Sequence, residues 1–213
     1  MLRRLCGAGV ICAGLVWANV AHADVWFVEA EGFDEENSVL FANENGVNVT
    51  WTIVDDKQAL GDQHMTMKGA NRDACEACAP LYYPISHVRE AGAYRLWARS
   101  IMPTTGSDSF FWQISNDGGK KFNLPVAAHG GAQWDDWEWT GWNGITLEKG
   151  SDNVLLIAER ENNASLDIFC LRNDGLTPTD DEAEEWLEDN KILPFAIDPA
   201  HRLASTWGRL KDR

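Results

Sequence analysis

The sequence predicts an all-β protein, an antiparallel β-sandwich followed by a short helical tail. Three observations carry this. Segments of four to ten residues alternate apolar and polar side chains, as strands with one packed face do. Turn residues separate them at short intervals, and no helical period appears before Asp174.

Taken in order, Trp26 to Glu31 alternates and stops at Gly32, His64 to Lys68 is a short strand ending near Gly69, and Leu81 to Val88 is another. After the turn Glu90-Ala91-Gly92, Tyr94, Leu96 and Ala98 alternate with Arg95, Trp97 and Arg99, which predicts one buried and one wet face. Ser109 to Ser115 leads into Asn116-Asp117-Gly118-Gly119, residues suited to the positive φ of a tight hairpin, before Lys121 to Val126 returns. Asp135 to Thr140, Gly144 to Leu147, Asn153 to Glu159 and Leu166 to Leu171 complete the strands. There is no internal repeat.

Beyond Asp174 the character changes. Thr179 with Glu182 three residues on forms a capping box, and an acidic run suits a helix amino end, so a helix to about Asn190 is expected. Pro194 and Pro199 then interrupt the chain. From His201 to Arg213 the sequence is basic, with Leu203, Trp207 and Leu210 spaced for a small amphipathic helix. The expected organisation is a leader over 1–23, a sandwich over 24–175, and an acidic helix with a basic tail over 176–213.

The leader has three adjacent parts: Arg3-Arg4, an apolar stretch from Leu5 to Ala18, and Ala21-His22-Ala23 placed for signal-peptidase cleavage. The apolar stretch is too short for about 30 Å of hydrocarbon and is broken by Gly7, Gly9 and Gly14, which argues against an anchor. Export is therefore expected, to a secreted, periplasmic or cell-surface location. Losing residues 1–23 removes two of the 18 basic residues and none of the 33 acidic ones, taking the net charge from −15 to −17. So acidic a protein is unsuited to nucleic acid or an anionic membrane.

Cys75, Cys78 and Cys170 remain after cleavage. A closed zinc site needs four ligands and no second Cys-x-x-Cys supplies them, so a local Cys75–Cys78 disulfide is expected in an oxidising compartment. Cys170, inside an apolar strand, reads as a buried thiol.

Glu29-Ala30-Glu31, Ala91-Gly92-Ala93-Tyr94-Arg95-Leu96-Trp97, Asp117-Gly118-Gly119, Trp134-Asp135-Asp136-Trp137 and Leu166-Asp167-Ile168 follow one another in an order and spacing that resembles carbohydrate-binding modules of families 6 and 35, across Val25 to Asn173. The resemblance implies a galactose-binding-like jelly roll, non-catalytic, with a structural calcium ion held by Glu29, Glu31 and Asp167. The residues agree on their own terms: Glu29 and Glu31, two apart on a strand, would share a face, and Asp167 interrupts an apolar strand where an unpaired charge is costly. The competing reading of the three is solvent-facing acids.

Eleven tryptophans are present, and Trp17 leaves with the leader. Aromatic rings stack on the C–H faces of sugars while polar neighbours hold the hydroxyls. Trp112, Trp137, Trp139 and Trp26 read as core, whereas Trp134 and Trp142 occupy loop-like surroundings. Trp134 matches the family's aromatic platform, with edge packing as its alternative. Where family members carry an Asn before the last-strand Asp, this chain has Ser165, and Asn162 and Asn163 stand nearby to supply an amide. The sequence contains no His-Glu-x-x-His, Gly-x-Ser-x-Gly or phosphate-cradling glycine loop. The expected function is a non-enzymatic module that binds a polysaccharide or other glycan. The alternative is an extracellular interaction module of the same fold, docked to a cell-surface protein through its carboxy-terminal tail.

Overall fold

A computed structural model describes residues 24–44, 47–71, 78–85, 88–122, 126–129, 136–150 and 152–190. The leader, Cys75, Trp134 and the tail 191–213 lie outside the described residues.

Among the described residues eleven strands form two antiparallel sheets: β1 (Val25–Glu29), β2 (Phe41–Glu44), β3 (Val47–Asp55), β4 (Gln63–Gly69), β5 (Leu81–Ile85), β6 (Gly92–Ile101), β7 (Ser109–Ser115), β8 (Val126–His129), β9 (Glu138–Leu147), β10 (Asn153–Ala158) and β11 (Ser165–Arg172). The larger sheet runs β2-β3-β4-β11-β6-β9 with β1 also paired to β11, and the smaller runs β5-β10-β7-β8. This is the sandwich expected. Its core interleaves Leu81, Tyr83, Phe110, Leu155 and Ile157 of the smaller sheet with Trp51, Met65, Leu96, Ile145, Phe169 and Leu171 of the larger. Tyr83 and Phe110 both meet Phe169 edge-on, at 5.3 and 6.1 Å between ring centres.

Several boundaries differ from the expectation. No strand is expected between Gly32 and His64, yet β2 and β3 lie there, with Val49 and Trp51 of β3 facing the core between Thr50 and Thr52. The two segments expected around Trp142 are one strand, β9, because a register shift against Tyr94 and Leu96 absorbs the irregularity. Gly118 and Gly119 have the positive φ expected, but Val126 pairs with Trp112 and Lys121 and Phe122 are in no strand, so the hairpin is wider than two residues. Pro84 sits in β5, at the edge of its sheet, where a missing donor is tolerated.

Helix α1 (Asp180–Asn190) has the expected capping box: the Thr179 amide donates to Glu182 Oε2 at 3.0 Å and the Glu182 amide to Thr179 Oγ1 at 3.2 Å. It packs Ala183 and Leu187 onto Phe27, Leu60, Trp97, Ile168 and Cys170 on the outer face of the larger sheet. The face of β6 expected to be wet is therefore dry at two positions, with Trp97 5% and Arg99 6% exposed. Burying a side chain such as Leu187 there contributes about 1.5 to 3 kcal/mol. Among the described residues no helix is long and apolar enough to cross a membrane.

Candidate functional site

Two regions carry unusual polar chemistry. The first is an end of the sandwich. Ser165 pairs with both Thr66 and Ile101, Ser100 with Glu138, and Ser109 with His129, so the connections β4–β5, β6–β7, β8–β9 and β10–β11 all leave from this end.

Side chains tie these connections together. The Asn162 amide N–H donates to Asn71 Oδ1 at 2.9 Å, Asn71 Nδ2 donates to the Gly106 carbonyl at 2.8 Å, and the Gly69 amide donates to Asn162 Oδ1 at 3.1 Å. Asn163 is exposed in the left-handed region at φ 69°, a conformation asparagine tolerates, and its amide reaches the Met67 carbonyl at 2.8 Å. Ser165 shares a hydrogen bond with Thr66 Oγ1 at 3.2 Å. Beneath this layer Glu161 Oε2 accepts from the Asp108 amide at 2.8 Å and the Ser109 hydroxyl at 2.6 Å, and Glu161 Oε1 from Arg160 Nη1 at 2.8 Å. Burial disfavours the Glu161 charge, but the Ser109 and Asp108 donors outweigh it and hold the carboxyl below its usual range.

Asn162, Asn163 and Ser165 thus lie at one loop end. Trp142 is not with them. It lies inside β9 opposite Leu96, five residues along β6 from Ile101 or roughly 16 Å. There it packs edge-on against Phe110 with ring centres 5.2 Å apart, so it is core and not a loop-end platform. Gly141 and Asn143 suggested a loop, but the strand simply passes through them. The connection that carries Trp134 leaves from the same end as the asparagine cluster, while Trp134 itself lies outside the described residues. Asn71, Glu161 and Arg160 were not singled out from sequence, where a polar side chain in a connection has no periodic signature.

The second region is the carboxylate group. Strand β11 pairs with β4 at Ser165 and Leu166 and with β1 from Ile168 onward, both on the side away from β6. Asp167 stands at this change of neighbours and is itself the extra residue of a bulge in β11, between Leu166 and Ile168, which face the consecutive Ser100 and Arg99 of β6. Glu29 ends β1, and Glu31 lies in the turn that follows rather than on the strand, so the shared strand face expected for the pair does not exist. Glu31 lies within electrostatic reach of both Glu29 and Asp167 because the end of β1 meets β11 at the bulge: the Ala30 amide donates to the Asp167 carbonyl at 2.6 Å, and the turn Leu60–Asp62 puts the Leu60 amide on Asp167 Oδ2 at 3.1 Å.

Asp167 is wholly buried. Its Oδ2 accepts from the Leu60 amide at 3.1 Å and from Arg99 Nη1 at 2.5 Å, while Oδ1 has no hydrogen-bond partner. Glu31 Oε2 is likewise buried without one. Burial, with Glu29 and Asp167 adding repulsion, pushes the Glu31 carboxyl up to about 8. Burial pushes Asp167 up to about 7 although the Leu60 amide and Arg99 pull it down. Two orphaned carboxylate oxygens in a surplus of negative charge suit a hard cation that prefers oxygen ligands. Among the described residues no three His, Cys, Asp or Glu side chains form a group that could hold a metal ion by themselves.

Cys78 is in a disulfide, its partner outside the described residues, and Cys170 is a buried free thiol.

No family model matches the sequence, and no curated protein matches it. Solved structures similar to it include a family 35 carbohydrate-binding module from Clostridium thermocellum, at 15% identity over 69% of this chain and 98% of that one, with a TM-score of 0.44. The C-terminal family 6 module of a marine laminarinase from Zobellia galactanivorans is similar at 12% identity over 70% of this chain and 100% of that one, TM-score 0.43. An isomaltodextranase from Arthrobacter globiformis T6, complexed with panose, is similar at 17% identity, TM-score 0.45; the match spans 69% of this chain and only 23% of the enzyme. These likenesses are of strand arrangement, at low identity.

Proposed function

We propose that this chain is an exported, non-catalytic carbohydrate-binding module that holds a glycan at the end of the sandwich where Asn71, Asn162, Asn163 and Ser165 gather. The observation that carries the reading is the cross-linking of three connections by Asn71 and Asn162, which presents amide and hydroxyl groups from a rigid base. In this reading Trp134 supplies the stacking ring and Asn162 Nδ2 or Asn163 binds sugar hydroxyls. The Cys75–Cys78 disulfide would brace the β4–β5 connection beside it, as suits an exported protein.

The cation belongs to the same reading. Glu29, Glu31 and Asp167 would hold calcium, with Asp167 Oδ1 and Glu31 Oε2 as ligating oxygens. When bound, the ion supplies the positive charge that these carboxylates lack, and so serves stability.

Titrating the purified protein with a panel of neutral and acidic polysaccharides, following tryptophan fluorescence, tests the proposal. A saturable change is expected, abolished in Trp134→Ala and retained in Trp142→Phe. If every glycan is silent while deletion of residues 195–213 releases the protein from the cell surface, the interaction-module reading replaces this one.

A further inference from the structure

We infer that helix α1 is a working part of the cation site: Asp180 holds the Arg99 guanidinium in balance, and Arg99 in turn fixes Asp167 so that only Oδ1 is offered to the ion. The inference rests on the calcium reading above. It concerns what this chain's own arginine and helix do to that site.

Arg99 stands between two carboxylates. Its Nη1 donates to Asp167 Oδ2 at 2.5 Å, while its Nε and Nη2 donate to Asp180 Oδ1 and Oδ2, both at 3.0 Å. Such a two-pronged contact restricts the guanidinium to one orientation and matches its charge one for one. Trp139 Nε1 donates to Asp180 Oδ1 at 2.8 Å, the Gln58 carbonyl accepts from Nη1 and Nη2 at 3.3 and 3.4 Å, and the Trp137 ring lies 5.3 Å from the guanidinium carbon. Arg99 is therefore held on every side that is not Asp167.

Two consequences follow for an ion. Arg99 and the Leu60 amide both occupy Oδ2, so Asp167 can bind through Oδ1 alone. A guanidinium in contact with a ligating carboxylate also repels a divalent cation, and Asp180 offsets that repulsion as long as the helix is seated. Asp180 is thus a positioning residue, acting on the ion through Arg99. Its side chain is 47% exposed, so replacing it leaves no buried charge of its own and the fold should persist.

Glu182 supplies the matched control. It lies on the same first turn and carries the same charge, but its charged partner is Arg172, reached at 3.1 Å by Nη1, and glutamine there keeps an oxygen for the capping bond from the Thr179 amide. Arg172 is five residues along β11 from Asp167, roughly 16 Å.

The experiment is calorimetric titration of the full chain with calcium chloride after chelator treatment, for wild type, Asp180→Asn, Glu182→Gln, Arg99→Gln and the Asp180→Asn, Arg99→Gln double variant, with a thermal melt of each in chelator. Asp180→Asn is expected to bind calcium about tenfold more weakly, because an uncompensated guanidinium charge then faces the ion. Glu182→Gln is expected to stay within about twofold of wild type while losing comparable thermal stability, since it removes an equivalent ion pair. With Arg99 already replaced, the Asp180 change is expected to have no further effect on affinity. Asp180→Asn binding like wild type, or Glu182→Gln weakened as much as Asp180→Asn, overturns the inference and leaves the calcium reading standing. A wild-type chain that takes up no calcium overturns both. Should Arg99→Gln not fold, the Asp180 and Glu182 pair still decides.

Discussion

Gly61 and Glu29 lie so close that a Cβ on Gly61 would come within 2.4 Å of Glu29 Oε1 and displace that carboxylate. Gly61 also has φ +81°, a conformation that other residues adopt with strain. The positive φ of Gly61 is what a side chain would strain in the turn Leu60–Asp62, which puts the Leu60 amide on Asp167, whereas the Glu29 carboxylate could swing aside. Gly61→Ala should therefore cost about 1 to 3 kcal/mol of stability and push Glu29 from its place. Thermal melts with and without calcium read both effects, and the gain in melting temperature from calcium should shrink in the variant.

The charge surplus at Glu31 and Asp167 makes stability depend on pH with a definite sign. Their folded values of about 8 and about 7 lie above the ordinary 4.5 and 3.8, so between these limits the folded chain binds more protons than the unfolded one. Without a cation, stability present below the ordinary values is lost as pH rises through the folded ones. Calcium neutralises the same charges. The rise in melting temperature that calcium brings should be larger at about pH 8.5 than at about pH 5. A chelated protein more stable at the higher pH would contradict this assignment.

Trp142 packs against Phe110 and belongs to the core between the sheets. Trp142→Ala should lower stability by about 2 to 3 kcal/mol, below the full value for a buried tryptophan because this one is half-buried. Trp142→Phe, which keeps an aromatic ring against Phe110, should leave glycan affinity unchanged. Denaturant titration and the fluorescence titration separate the two effects, and a loss of glycan affinity in the phenylalanine variant would return Trp142 to the binding site.

Cys170 is covered by helix α1, and burial raises its thiol well above the ordinary range. The intact protein should resist a thiol reagent at neutral pH. Leu187→Asp places a charge in the apolar seat shared with Phe27 and Trp97, and should expose Cys170 to the reagent without unfolding the sandwich. Labelling rate beside circular dichroism makes the check.

Much of the architecture was legible in the sequence because local rules act over a few residues. Alternation identified most strands, Gly118 and Gly119 the positive-φ turn, and Thr179 with Glu182 the start of the helix. The asparagines near Ser165, and the costly charge at Asp167, were legible for the same reason: each is unusual against its own neighbours. The nine-residue β3 also carries an alternation, Val49 and Trp51 against Thr50 and Thr52.

What only the tertiary structure decided is what covers each face and which distant groups meet. Alternation says that Arg95, Trp97 and Arg99 share a side, but not that a helix some eighty residues later lies across that side and takes Arg99 as a partner. It could not show that Glu31 leaves the strand, that Trp142 stays within one, or that Asn71 reaches Asn162 from another connection. The physical reason is one of range. Backbone propensity and turn chemistry are set within a few residues, whereas the burial of a charge and the identity of its counter-charge are set by whatever part of the chain comes to rest beside it.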